Sequence, residues 1–428
     1  MNPQLLEDVW RRESSHVLGA LLRRHGDFGD CEDAAQEALA AAAQQWPRDG
    51  IPDNPRGWLV RVASRRLIDH ARAARARVAR EQAAAVAQPR DAEQAPPADA
   101  DRAPGTDDTL QLFLLCCHPA LSRPSQVALT LRAVAGLSTA QIASAFLVPE
   151  ATLAQRVSRA KATLRSAGAR FEAPAEPDVP GRVAAVLDVL HLVFNEGHTR
   201  SGGDTLLDRT LALEAIRLTR RLRGLLPDHD EVAGALALML LTHARADART
   251  DDRGDLVPMA EQDRARWDRA LITEGVALLE EVLPRGHVGR YQLQASIAAV
   301  HAEATSAEET DWLQISLLYE MLEKVAPSPA VVLNRAVAEG MSLGPTQGLA
   351  LIEPLLADPA MRRHHRTYAV QAHLLEMAGR PDEAVSAYRR AAQLTGSQPE
   401  QRYLNRRAAR VQRQGISPPG ERRSVEQL

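Results

Sequence analysis

Apolar residues recur at helical spacing along most of the 428-residue chain, and this spacing predicts α-helices. A first helix is expected from about residue 5 to Gly26. A second helix follows, with Asp30 as its N-cap and acidic residues in its first turn. A loop rich in proline and glycine begins at Pro47, and a third helix begins near Arg56. The same periodicity returns over residues 110–170 and again over residues 182–415.

Two segments interrupt this pattern and divide the chain. Residues 81–109 contain seven acidic residues, two arginines and many prolines and alanines without an apolar period, which indicates a flexible linker. A second proline-rich break spans residues 171–181. The sequence therefore predicts helical domains at 5–80, 110–170 and 182–415, followed by a tail at 416–428. Because only 4% of residues are aromatic, the expected fold is all-α, with helices built on alanine and leucine.

The charge distribution is uneven, although the formal net charge of the whole chain is only −3. Residues 53–80 and residues 121–170 each carry a net charge of +6, and the acidic linker at 81–109 lies between them. Two basic segments on one chain indicate two contacts with one polyanion.

Residues 136–165 have the pattern of a helix-turn-helix. Ser138 is a suitable N-cap for a short first helix, and residues 147–149 supply a tight turn before a second helix that begins at Pro149 or Glu150. The second helix places apolar residues on one face and polar or basic residues on the others, as a DNA recognition helix does. The alternative is an ordinary helical hairpin with solvated arginines. The polar and basic residues are Thr152, Gln155, Arg156, Arg159 and Lys161.

The helix at 56–80 and the helix before it carry further candidate residues. Trp58 begins an arginine-rich helix that includes Arg61, Arg65 and Arg72, and such a helix can hold a nucleic-acid backbone and stack an unpaired base. The alternative is a tryptophan packed in the core beside solvated arginines. Upstream, Asp33 and Glu37 are four residues apart and so share one helix face, which is either solvated or offered to a partner.

In this order, the three segments resemble the sigma-70 family of RNA polymerase initiation factors, and specifically its small extracytoplasmic-function (ECF) type. Region 2.2 of the family resembles DCEDAAQEALAAAAQQWP, and its regions 2.3 and 2.4 resemble NPRGWLVRVASRRLIDHARAARAR. Region 4.2 resembles GLSTAQIASAFLVPEATLAQRVSRAKATLR. In this last segment, Leu147 stands where the turn of the family often has glycine. The resemblance covers residues 5–170.

This resemblance implies partners for each set of candidate residues. Asp33, Gln36 and Glu37 would contact the β′ coiled coil of core RNA polymerase, whose β′ and β subunits are the expected protein partners. Trp58, Arg61, Arg65 and Arg72 would face the −10 promoter element. The third set would bind the −35 element in the major groove, through contacts with base edges and phosphates. It consists of Thr152, Gln155, Arg156, Arg159 and Lys161.

The carboxy-terminal 250 residues contain a faint repeat of 34 residues. Ala304, Ala338 and Ala372 share one register, and Ser316, Ala350 and Ala384 share another, which are the places where the helices of a tetratricopeptide pair cross. The strings LQLFLLCCHPALS, LVFNEGHT and EQDRARWDRALITEG resemble an ECF subgroup with a fused tetratricopeptide-like domain. In the second string, Gly197 is expected to cap the end of a helix.

These observations predict a sigma factor that binds core polymerase and promoter DNA, with a carboxy-terminal domain that modulates activity through intramolecular contacts or a protein regulator. One alternative is a stand-alone helix-turn-helix regulator with a sensory repeat domain; another is a protein-interaction scaffold. No catalytic constellation, metal-spaced ligand set or cofactor motif is recognised, so an enzyme is not expected. No stretch is long and apolar enough for a membrane span, and a cytoplasmic location is expected.

Overall fold

A computed structural model of the chain describes residues 3–83 and 108–416, and these fold into two compact units. One unit comprises residues 1–189 and is called the amino-terminal unit; the other comprises residues 190–428 and is called the carboxy-terminal unit. Both are built from α-helices, which confirms the expected all-α fold. Most of the predicted linker at 81–109 and nearly all of the predicted tail at 416–428 lie outside the described residues.

Seven helices form most of the amino-terminal unit, and an eighth begins within it. They are α1 (Pro3–His25), α2 (Phe28–Asp49), α3 (Pro55–Ala83), α4 (Thr109–Cys116), α5 (Arg123–Ala133), α6 (Thr139–Ala145), α7 (Glu150–Ser166) and α8 (Val179–His198).

The ends of α2 differ from the prediction. Asp27, rather than Asp30, is the N-cap, because its carboxylate accepts a hydrogen bond from the Asp30 amide at 2.8 Å. The helix also continues through Pro47 to Asp49, where a loop was expected. Proline has no amide to donate to the carbonyl four residues earlier, and because Pro47 lies in the last turn this loss affects only the end of the helix.

The core of the first three helices follows the apolar period that the sequence displays. Residues of α1 that are at most 2% exposed face small residues of α2, whose Ala34, Ala38 and Ala42 are fully buried. Leu59 and Ala63 of α3 close this core. Alanine at the contacts lets the helices approach closely, which explains how a chain with few aromatics still packs a continuous interior. The apolar side chains of α1 at this level of exposure are Val17, Leu18, Leu21 and Leu22.

The carboxy-terminal unit continues as successive helices that pack against their neighbours. The helices after α8 are α9 (Arg209–Leu225), α10 (Asp230–His243), α11 (Arg269–Val282), α12 (Arg290–Glu303), α13 (Trp312–Val325), α14 (Pro329–Leu343), α15 (Pro345–Ala357), α16 (His365–Met377), α17 (Pro381–Leu394) and α18 (Gln398–Ile416). Two short strands, β1 (Gly202–Gly203) and β2 (Gly396–Ser397), pair in parallel.

The predicted 34-residue register holds at the last helix pair and shifts at the pair before it. Ala372 and Ala384 are fully buried in the core of α16 and α17. In α15, however, Ala350 is exposed, and Gly348 makes the close approach instead. A Cβ at Gly348 would lie 2.5 Å from the Ala336 carbonyl oxygen and 3.1 Å from the Cα of Gly340. Glycine therefore performs at α14–α15 the role that was assigned to alanine two residues away.

Gly197 does not end a helix, contrary to the prediction. The helix α8 runs through it to His198. A Cβ at Gly197 would lie 2.4 Å from the backbone nitrogen of Ala212 in α9. This glycine is therefore explained by the contact between two helices and not by a turn.

Candidate nucleic-acid interface

The helix-turn-helix is formed by α6 and α7. Ser138 caps α6 by a reciprocal capping box, in which its hydroxyl accepts from the Gln141 amide at 3.1 Å and its own amide donates to the Gln141 side chain at 2.9 Å. Helix α7 starts directly after Pro149. Both boundaries agree with the sequence prediction.

The turn between α6 and α7 requires an unusual backbone conformation. Leu147 has a φ of 52°, and it is the one described residue other than glycine with a positive φ. Its side chain is 50% exposed, so burial offsets little of the strain of this conformation. A glycine would adopt it freely, which gives a physical reason for the glycine that related turns often carry here.

The two faces of α7 divide as predicted. Leu153, Val157, Ala160 and Leu164 are buried against the neighbouring helices. Thr152, Gln155 and Arg159 are exposed, and Arg156 is half-buried. Within residues 3–83 and 108–416, neither Arg156 nor Arg159 makes an ion pair. This face therefore presents two cations and an amide that are free to bind phosphates and base edges.

Helix α3 offers a second basic surface. Arg61, Arg65 and Arg72 are exposed, and among the residues that the structure describes none forms an ion pair with them. Trp58 is half-buried, and its ring packs edge-to-face on Trp46 with ring centroids 5.4 Å apart. Trp58 is thus partly a core residue, yet it keeps some exposed surface beside the arginines.

Two of the three residues expected to contact polymerase lie partly covered on α2. Glu37 lies 3.6 Å from the Arg66 guanidinium and 3.5 Å from the His70 ring, so α3 holds its carboxylate. Gln36 is half-buried at the edge of a cavity of about 350 Å³ that Trp10 and Gln141 also line.

The third residue, Asp33, forms an ion pair with a residue predicted to bind DNA. The Lys161 ammonium of α7 lies 2.6 Å from an Asp33 oxygen and 2.5 Å from a Glu32 oxygen. Glu32 is only 2% exposed, and its other oxygen accepts from Arg132 Nε at 2.7 Å. The side chain of Lys161 is 15% exposed. Asp33 and Lys161 are therefore brought together, although the sequence assigned them to two different partners.

A second set of ion pairs extends the contact by one helical turn. Arg165 donates to both carboxylate oxygens of Asp27, at 2.7 and 2.8 Å, and to Asp30 at 3.0 Å. The hydrogen bonds from Arg165 hold the pKa of Asp27 below its ordinary value, and Asp27 in turn raises the pKa of Arg165. These six ion-paired residues are called the α2–α7 contact, and they are Asp27, Asp30, Glu32, Asp33, Lys161 and Arg165.

Sequence reasoning missed four of these six residues as members of a site. One signal was available: Lys161 and Arg165 are four residues apart and so share a face of α7. The acidic residues at the start of α2 form a complementary face. Nothing in the sequence, however, indicated that these two faces meet.

In the carboxy-terminal unit, His198 at the end of α8 is a packing residue. The His198 ring is 6% exposed and stacks on Phe194 with centroids 5.5 Å apart. Burial and the charge of Arg249 hold the pKa of His198 well below its ordinary value. Among the described residues, no three histidine, cysteine or carboxylate side chains could hold a metal ion together. None of the helices described at 3–83 or 108–416 is long and apolar enough to cross a membrane.

Comparisons with known proteins agree with this geometry. Residues 9–77 match the sigma-70 region 2 model and residues 114–164 match the sigma-70 region 4 model. The chain carries the region 2 and region 4 domains of a sigma factor. Residues 182–283, at the start of the carboxy-terminal unit, match a family of unknown function, DUF6596.

Two relatives are informative. The chain is 41% identical over 388 residues to an uncharacterised protein of Rhizobium meliloti (strain 1021), with 91% of each chain covered, and it belongs to the same family as that protein. It is 31% identical over 200 residues to the probable ECF RNA polymerase sigma factor SigI of Mycobacterium tuberculosis. That match covers 47% of this chain and 65% of the relative. No solved structure matches the chain significantly.

The matched ranges locate the candidate surfaces within the sigma domains. The region 2 domain contains α2 and the exposed arginines of α3, and the region 4 domain contains α6 and nearly all of α7. The α2–α7 contact therefore joins the region 2 domain to the end of the region 4 domain, with Arg165 one residue beyond the matched range.

Proposed function

We propose that this protein is a non-catalytic sigma factor that binds core RNA polymerase and directs it to a specific set of promoters. The observation that carries this proposal is the presence of both sigma-70 domains, each with an exposed basic helix face. On this proposal, Arg61, Arg65 and Arg72 hold the −10 element, with Trp58 available to stack on an unpaired base.

The exposed face of α7 supports the proposed reading of duplex DNA at the −35 element. Gln155 can form paired hydrogen bonds with adenine, and Arg156 and Arg159 can contact guanine or phosphate. Thr152 lies near the amino-terminal end of the helix, the end that recognition helices direct at base edges.

Two of the proposed polymerase-binding residues already have different partners within the protein. Glu37 contacts α3, whereas Asp33 contacts Lys161, a proposed DNA ligand. Binding of polymerase at Asp33 and of DNA at Lys161 both require this ion pair to break. We therefore propose that the α2–α7 contact opens when the factor is loaded onto polymerase and promoter.

For the carboxy-terminal unit, we propose a tetratricopeptide-like domain that modulates this activity through intramolecular or protein–protein contacts. Support comes from the successive packed helices and from the small residues at the contacts of α14–α15 and α16–α17. Stacked helix pairs of this kind present extended surfaces for a partner.

Run-off transcription with purified core polymerase tests the sigma role. The template is the DNA upstream of the gene for this protein, and binding to core polymerase is measured separately. The full chain should give a defined transcript, and Arg159→Ala should reduce it roughly tenfold through the loss of a DNA contact worth about 1–3 kcal/mol. Arg170→Ala is the matched control, because Arg170 is exposed beyond the end of α7.

The same assay separates the rival outcomes. A chain that fails to bind core polymerase but still binds duplex DNA would be a stand-alone regulator instead. A shortened chain that ends at His198 keeps α8 whole, including Asp188 and the Ala185 carbonyl, which Arg123 contacts. If this chain binds core polymerase and transcribes as the full chain does, the carboxy-terminal unit has no modulating role.

A further inference from the structure

A cavity of about 340 Å³ lies within the carboxy-terminal unit, between α10, α12, α13 and α14. Much of its wall is apolar and includes Leu241, Ile297, Leu322 and Val331. Its volume lies at the lower end of the range typical for small-molecule sites.

One arginine in this cavity, Arg245, has no counter-ion among the residues at 3–83 and 108–416. Arg245 follows α10 directly and lines the cavity, and no residue in the described ranges forms a hydrogen bond or an ion pair with its guanidinium. None of the residues that line the cavity is acidic. Arg366 and Arg249 add further positive charge near Arg245, although Arg366 itself pairs with Glu400 at 3.9 Å.

The guanidinium groups of two neighbouring arginines do have hydrogen-bond partners. Arg249 donates to the His198 carbonyl and to the Thr199 hydroxyl. Arg264 donates to the carbonyls of His301 and Ala304, at 2.5 and 2.7 Å, and its guanidinium stacks on Trp267. Arg245 is thus left without the bonds that its neighbours have. Burial lowers its pKa to about 10, so it remains cationic at neutral pH.

Further polar groups around the cavity have unused hydrogen-bonding capacity. The indole nitrogen of Trp267, a residue that is 4% exposed, is buried without a hydrogen-bond partner in the part of the chain that the structure describes. Thr242, Gln294 and Asn334 also line the cavity and make no side-chain hydrogen bond with any residue that the structure describes. His301 adds no charge at neutral pH, because burial and the nearby arginines lower its pKa to about 4.

We infer that this cavity binds a small organic anion, in which a carboxylate or phosphate pairs with Arg245 and an apolar body contacts the aliphatic wall. Arg245 is half-buried, and a partly desolvated cation without a counter-ion among the described residues is costly; an anionic ligand removes that cost and gains charge-assisted hydrogen bonds. The small volume and the position between four helices favour a small molecule over a peptide. The inference does not depend on the sigma role.

The test compares two fluorescent probes that share an apolar body. The full chain is titrated with 8-anilino-1-naphthalenesulfonate, which is anionic, and with N-phenyl-1-naphthylamine, which is neutral. Arg245→Gln should weaken binding of the anionic probe by about tenfold or more and leave the neutral probe nearly unchanged. Arg253→Gln is the matched control, since Arg253 is exposed and outside the cavity.

A second variant and a second readout guard against a folding defect. Ala298→Leu keeps the arginine but fills part of the cavity, and it should weaken both probes. Without any probe, Arg245→Gln should melt a few degrees higher than the wild type, because it removes an unpaired charge. Decanoate and phenyl phosphate, tested as competitors, distinguish a carboxylate ligand from a phosphate ligand.

The inference is overturned if neither probe saturates on the wild-type chain, or if Arg245→Gln binds the anionic probe as the wild type does. It is also overturned if Arg245→Gln melts lower than the wild type, because the guanidinium would then have a stabilising partner. Displacement of the anionic probe by an acidic peptide, but by neither small anion, would replace the small molecule with a protein partner.

Discussion

Two pairs of helices are held together by different means. Ion pairs join α2 to α7, whereas α14 and α15 meet through a close approach of their backbones. In the amino-terminal unit, four carboxylates of α2 or its N-cap meet Lys161 and Arg165. In the carboxy-terminal unit, Gly340 and Gly348 let two backbones approach without any charge. The ion pairs of the first contact can be replaced by ion pairs with a charged partner. The close backbone contact of the second contains no charged group that another molecule could bind instead. The first suits a surface that must open, and the second suits a scaffold.

The largest expected effect follows from removing the buried carboxylate of the ionic contact. Glu32→Ala leaves Lys161 and Arg132 without their shared partner and should cost about 3 kcal/mol, near the lower end for a broken buried ion pair. The cost stays at the lower end because Lys161 keeps Asp33 and Arg132 keeps the Thr139 hydroxyl. Hydrogen exchange of α2 and α7 amides measures the loss.

Glu176→Gln is the control for that experiment, because Glu176 is exposed in a short 3₁₀ turn outside the contact. Equal protection of α7 in Glu32→Ala and in the control would show that the ion pairs do not hold the two helices together.

The glycine contact should respond to size and not to charge. Gly348→Ala places a Cβ against the Ala336 carbonyl and should destabilise the carboxy-terminal unit by about 1–3 kcal/mol. Gly224→Ala is the matched substitution in α9, where the added Cβ meets nothing within 4 Å, so it should stabilise by about 0.5–1 kcal/mol. Thermal unfolding of both variants at low and high salt provides the measurement. A shift for Gly348→Ala that depends on salt would contradict the comparison.

The smallest expected effect is that of the exposed pair at the edge of the ionic contact. The pKa of Asp27 is lowered when folded, so its stabilisation is present above the unfolded value near 3.8 and is lost as the pH falls through the folded pKa. Asp27→Asn keeps the N-cap but removes the charge, and should cost about 0.2–1 kcal/mol at pH 7. Stability measured from pH 7 to pH 2.5 should show the two proteins converging in acid. A constant difference would assign the effect to capping.

The comparison also shows what the sequence could predict. The sequence predicted the apolar faces of α6 and α7, the Ser138 cap and the basic exposed faces. These features were predictable because helical periodicity and capping depend on residues only a few positions apart. The α14–α15 contact was predicted two residues away from its true position, since small residues are common there and only the packing selects Gly348 over Ala350. Three helix ends were predicted wrongly, at Asp30, Pro47 and Gly197. The cap that was assigned to Asp30 is made by its neighbour Asp27, and Gly197 is explained by its contact with α9 and not by a helix end.

The ion pairs of the α2–α7 contact could not be predicted in this way. Lys161 and Asp33 are 128 residues apart in sequence, and the same charges are equally consistent with a solvated surface. Their pairing depends on how two separately predicted domains pack, which no local pattern encodes. The unpaired state of Arg245 was hidden for the same reason, since it depends on which of the described residues surround its guanidinium in three dimensions.

The shared use of Lys161 has a consequence for how the proposed factor would respond to its two partners. A polymerase surface that binds Asp33 would remove one of the two carboxylates that hold Lys161 and leave it paired with Glu32, which makes Lys161 easier for DNA to bind, and DNA that binds Lys161 would release Asp33 for polymerase. By thermodynamic reciprocity, each partner would then raise the affinity for the other by the same factor. Such a protein would act as a coincidence detector. At low concentration it would bind either partner alone weakly, and it would bind both tightly when they are present together.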